Sequence, residues 1–175
     1  MSEPTVDREA RLANFSRGRD EFEQLYRTVP DDALSYIPEG EDYALGGLAV
    51  HVTDALYHYA HVLDVMKQAN YGEVRAIDPV DDAKRSRDSM VAAGFPGSDR
   101  SAVFGEMRAA HDAVASRLSA LPADEFGKPA PVLYGAESQE PYVTRASDVL
   151  GWVVDHYQDH IKQVAELLAR WRQTR

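Results

Sequence analysis

The stretch Ser147–Leu168, SDVLGWVVDHYQDHIKQVAELL, decides how the chain folds. Val149, Trp152, Val153, Val164 and Leu167, with His156 and His160 bridging the gap between Val153 and Val164, recur mostly at steps of three and four residues, and Trp171 extends the line. That period belongs to one face of an α-helix and not to a strand. The two histidines stand one turn apart on that face and can share an ion. Burying an imidazole on an apolar stripe is unfavourable unless each nitrogen finds a partner, and one common cation satisfies both rings.

A second stretch, Leu45–Met66, LGGLAVHVTDALYHYAHVLDVM, has the same period, with an inward stripe of Leu48, His51, Ala55, His58, Val62 and Val65. The helix is expected to start between Asp42 and Leu45 and to run to about Gln68, where Asn70 and Gly72 are stop signals. Gly46 and Gly47 cost about 1 kcal/mol each in helix propensity relative to Ala, and their small size admits a close neighbour.

Working outward, a first helix is expected over residues 5–28, with Leu12, Phe15, Phe22, Leu25, Tyr26 and Val29 as its apolar face and Pro30 ending it. Residues 70–98 read as a long connection with a short helix near Asp82–Val91. Such a connection can carry the chain from one end of a bundle to the other. The third long helix places Phe104, Met107, His111, Val114, Leu118 and Leu121 at heptad-like positions, behind Ser98, Asp99 and Ser101 as capping candidates. Residues 122–143, PADEFGKPAPVLYGAESQEPYV, read as a loop long enough to cover one end, and the last helix follows Thr144 or Ser147. No run alternates as a strand would. The expected fold is all-α: one domain over residues 1–175, a four-helix bundle with a long crossover between helices two and three.

Three imidazoles from two helices, His51, His156 and His160, would leave positions free on a metal, whereas a structural zinc site is closed by four protein ligands. Other histidine chemistries fail on spacing. A di-iron site needs Glu-x-x-His pairs, and Leu48, Val153 and Tyr157 stand three before the histidines. The HExxH motif fails because Tyr157 occupies the glutamate position. His58 lies about 10 Å along the helix from His51, too far to share its ion, and reads as a core or second-layer residue. His61 falls on the flank of the stripe, and His111 reads as a satisfied core histidine with a ligand or substrate role as the alternative. Asp54, Asp155, Gln158 and Asp159 are near enough in sequence to accept from the ligands' second ring nitrogen. No side chain is assigned as catalytic.

Composition sets bounds. The chain has 175 residues, 44% hydrophobic and 27% charged, no cysteine and a formal charge of −10. Disulfides and thiolate ligands are thereby excluded, and the charge argues against a nucleic-acid partner. No apolar run is long enough to span a membrane and no secretory leader is visible, so the expected location is the cytoplasm. From Thr28 to Met66 there is no Lys or Arg while seven Asp and Glu occur, which reads first as a solvated acidic surface.

The segments LGGLAVHVTDALYHYAHVLDVM and SDVLGWVVDHYQDHIKQVAELL resemble the DinB-like family, which includes bacillithiol and mycothiol transferase relatives. The resemblance implies a four-helix bundle and a divalent ion, zinc or nickel, bound by His51, His156 and His160. It also implies metal-dependent chemistry with a low-molecular-weight thiol, a small-molecule substrate and pairing as a homodimer. Thiol S-transfer is the leading expectation, metal-dependent hydrolysis the alternative, and a non-catalytic metal- or ligand-binding bundle the third.

Overall fold

The computed structural model describes residues 8–175; the expected start of the first helix, at residues 5–7, lies outside them. Four long helices carry the architecture: α1 (Arg8–Tyr26), α2 (Gly47–Gln68), α4 (Arg100–Ala120) and α6 (Ala146–Gln173). Between them lie α3 (Asp82–Ala93), the single turn α5 (Ala123–Phe126) and strands β1 (Val74–Ala76), β2 (Ala130–Tyr134) and β3 (Tyr142–Thr144). No described helix is long and apolar enough to cross a membrane.

Cross-helix contacts fix the directions. Arg100 at the start of α4 donates to the carbonyl of Tyr26 at the end of α1 (2.9 Å), and Tyr26 donates in turn to the carbonyl of Leu45, just before α2. Arg117 and Asp64 pair at 2.7 Å near the far ends of α4 and α2. Helices α2 and α4 therefore run parallel, and the chain crosses the bundle from end to end through β1 and α3. Arg11 reaches the carbonyl of Ser147, and Arg170 meets Glu41 at 2.8 Å, so α6 runs parallel to α1 and against α2. The tightest packing is of α2 on α4 and of α1 on α6; α2 and α6 meet more loosely.

The three strands correct the expectation of a bundle without sheet. They form one small sheet in the order β1-β2-β3, parallel between β1 and β2 and antiparallel between β2 and β3. Two of them have three residues and the third contains Pro131, so alternation had no length over which to show. The caps also differ from expectation. Helix α4 starts at Arg100 without a side-chain cap bond from Asp99, and α6 is capped by Asp148, which accepts from the backbone N–H of Arg145 at 2.9 Å.

Both histidine-bearing stripes have apolar members in the core, Leu48 and Val62 on α2 and Val149, Val153, Val164 and Leu167 on α6, while their histidines lie at the edge of the buried face. On α2 Leu48, Val52, Leu56 and Val62 are each no more than 1% exposed, and so are Val149, Leu150, Val153 and Tyr157 on α6. His51, Ala55 and His58, like Trp152, His156 and His160, are half-buried. Two glycines set the approach of other segments. A Cβ on Gly47 would lie 1.7 Å from the Val91 carbonyl oxygen at the end of α3, and one on Gly18 would crowd Tyr157 Cβ at 3.1 Å. Each gives up helix propensity for a closer contact.

Candidate metal centre

The loose seam between α2 and α6 brings the three histidines together. Each offers a ring nitrogen, and these atoms all lie within 4.8 Å of one another. Ring centroids are 5.0 Å apart for His51 and His156, 4.9 Å for His51 and His160, and 4.4 Å for His156 and His160. The last pair follows from helical spacing alone, whereas His51 arrives through the antiparallel packing of α2 against α6. Tyr43, on the segment leading into α2, walls one side, with its ring 4.6 Å from His51 and 6.3 Å from His160.

Hydrogen-bond accounting separates these rings from ordinary buried histidines. His156 Nε2 is buried and has no hydrogen-bond partner among the described residues. A buried ring nitrogen left in that state is costly. His160 Nδ1 donates to Gln163 Oε1 at 2.9 Å, leaving its Nε2 as a lone-pair donor, the arrangement in which an outer partner orients a metal-ligating imidazole. Gln163 was not among the outer-shell residues read from sequence, although it sits three residues after His160 on the same helix. The residues that were so read serve elsewhere. Asp54 pairs with Arg87 at 2.5 Å, Gln158 is exposed, and Asp155 and Asp159 line a cavity without bonding a histidine.

Burial and mutual proximity hold the cluster neutral. The His51 pKa falls to about 4 through desolvation and then the nearby His160, and that of His156 to about 3 through desolvation, His160 and His51. Desolvation also lowers His160, opposed by its bond to Gln163. Neutral imidazole is the form that binds a cation.

Beside the cluster, a cavity of about 400 Å³ opens between α2, α6 and β2; His156 is part of its wall, as are Tyr134 and Trp152. His58 lines it too, with Nδ1 2.7 Å from Asp78 Oδ1. Only the carboxylate can accept there, so Nδ1 carries the hydrogen and Nε2 is free to accept. The reading of His58 as a core or second-layer residue misses this exposure to the cavity. It rested on α2 alone, while Asp78 and Tyr134 come from later segments.

His111 is a satisfied core residue. It is 1% exposed, stacks on Phe15 at 3.9 Å between centroids and meets Tyr157 Oη at 3.3 Å. His61 faces a different cavity, shared with Asp64 and Arg117.

An antiparallel-and-crossover bundle with three histidines converging in one seam defines a class of small helical proteins whose facing helices present a histidine group that could hold a metal ion. The model of the DinB superfamily matches residues 14–164, and the chain belongs to that family. A solved structure, YfiT from Bacillus subtilis, described as a probable metal-dependent hydrolase with an unusual four-helix bundle topology, superposes with a TM-score of 0.69. The match covers 97% of this chain and 90% of that one at 17% identity, so what it establishes is the shared fold. No curated protein matches the sequence.

Proposed function

We propose that the protein is a metal-dependent hydrolase of small electrophilic substrates, with His51, His156 and His160 as ligands of a divalent ion. The observation that carries this reading is the partnerless, buried His156 Nε2, in a cluster whose other members also present lone pairs. Zinc and nickel both suit an all-imidazole donor set. Bound there, the ion supplies Lewis acidity and lowers the pKa of the attacking nucleophile.

The chain's own residues complete the reaction. The cavity beside His156 receives the substrate, and Tyr59, Tyr134 and Trp152 exclude water from one side of it. His58 lines the same cavity, and through intervening water there its Nε2 takes up the proton released by the attacking water and returns it to the leaving group, while Asp78 fixes the ring and balances its transient charge. The water oxygen joins the acyl carbon, the bond to the leaving group breaks, and the leaving group departs with the transferred proton. The hydrolase description of the structurally similar YfiT agrees with this reading.

Elemental analysis of untagged protein, followed by hydrolysis assays on small esters and amides with and without added thiols, tests it. Metal near one equivalent and thiol-independent turnover are expected. Turnover that requires a small thiol would move the reading to S-transfer, which the sequence resemblance implies. Metal-free protein that stays metal-free on incubation with zinc or nickel would overturn both.

A further inference from the structure

The cavity next to the histidine cluster has a composition that chooses its ligand by charge. Three aromatic rings, Tyr59, Tyr134 and Trp152, and two carboxylates, Asp155 and Asp159, face it, and among the described residues no Lys or Arg does. The rings are assembled from separate segments. Tyr59 of α2 meets Trp152 of α6 at 5.8 Å, Trp152 meets Tyr142 of β3 at 5.9 Å, and His58 bridges Tyr59 (5.2 Å) to Tyr134 of β2 (5.9 Å). Burial raises the pKa of Tyr59 and Tyr134, so both phenols stay neutral and their ring faces stay electron-rich.

The carboxylates are available. Asp155 forms no ion pair among the described residues, and Asp159 meets only Lys162, at 3.7 Å between two exposed side chains on the same helix. Asp78, bonded to His58, adds a third negative group behind the wall. Aromatic faces and exposed carboxylates in one lining favour an organic cation over its neutral counterpart.

We propose that this cavity binds a small organic cation, an ammonium or quaternary ammonium group, and so restricts the neighbouring centre to electrophiles that carry a positive charge. A volume of about 400 Å³ accommodates such a group with a short acyl chain. The cation site stands on the aromatic and acidic lining. Only the electrophile it presents rests on the hydrolytic reading above.

Calorimetry with choline and its neutral isostere 3,3-dimethylbutan-1-ol reads charge recognition without turnover. Choline should bind more tightly by about threefold or more, as expected for a cation on partly exposed aromatic faces. Asp155→Asn, at an exposed position that leaves folding intact, should weaken choline severalfold and leave the neutral alcohol unchanged, while Trp152→Leu should weaken both and choline by the larger factor. Equal binding of the two probes, no choline binding, or choline binding indifferent to both substitutions would overturn the proposal. A parallel assay on zinc-loaded protein compares acetylcholine with 3,3-dimethylbutyl acetate. Equal hydrolysis of both esters would sink the cation site and keep the hydrolase; choline binding without hydrolysis of any ester would do the reverse.

Discussion

Two histidines of this bundle share a burial-lowered pKa and differ in what surrounds them. His111, on the α4 side, is held neutral at about 4, yet its ring is stacked on Phe15 and its Nδ1 meets the Tyr157 hydroxyl. His156, in the α2–α6 seam, is held neutral at about 3 and its Nε2 has no partner among the described residues. A depressed pKa alone therefore does not mark a functional histidine in this molecule. The unfilled hydrogen-bonding position does, because a core selected only for stability leaves few such groups.

The sharpest way to break the comparison is to remove each ring in turn. His156→Ala should bring bound metal to background, a loss larger than the about 10- to 100-fold that an outer-shell partner typically contributes. Its thermal stability in the metal-free state should change little or rise, because an unsatisfied nitrogen leaves the seam. His111→Ala should do the opposite. Metal stoichiometry stays at the wild-type value, while removing a stacked ring from the core costs about 2 to 4 kcal/mol in a denaturant melt. Equal loss of metal in the two variants would erase the distinction between the sites.

What the sequence revealed follows the same division. The heptad-like line on α4, from Phe104 to Leu121, is buried along its full length, because one helix's period is a local property. The crossover was legible from the length of residues 70–98, and the His156–His160 pair from its spacing. The depth of the histidines on the stripes was not. His51 and His58 alternate with apolar residues as core residues would, and only the position of α6 makes them the edge of a seam instead of its floor. The small sheet escaped notice because its pairing joins residues 74–76 to 132–134, a partnership that no window along the chain contains. Gln163 and Tyr134 were missed for related reasons. One is an ordinary polar residue until His160 needs an acceptor, and the other lay in a segment read as loop.

A finer cut leaves all three imidazoles in place and removes only the acceptor behind one of them. Gln163→Leu frees His160 Nδ1 from its 2.9 Å bond. Metal affinity measured by competition with a chelator should fall about tenfold, the lower end of what an outer-shell partner contributes. The same substitution should cost the metal-free bundle only about 1 kcal/mol, the worth of one part-buried hydrogen bond. An unchanged affinity would mean that ring orientation is set by packing against Tyr43 instead.

The smallest effect sharpens the other side of the comparison. Desolvation is the main reason His111 titrates at about 4; Arg19 lowers it further, and Asp112 and Asp20 act in the opposite direction. Its folded-state pKa lies below the ordinary histidine value of about 6.5, so the unfolded chain binds the extra proton. The stability that neutral His111 allows is complete above pH 6.5 and drains away as the pH falls toward 4. The loss approaches about 1 kcal/mol per pH unit through that window. His111→Gln removes this single proton from the linkage. Compared with wild type in the metal-free state, where the seam histidines contribute equally to both proteins, its unfolding free energy should fall less steeply between pH 6.5 and 4.5. Parallel slopes would show that His111 takes up its proton without unfolding the bundle, and that the Phe15–Tyr157 pocket can hold a charged ring.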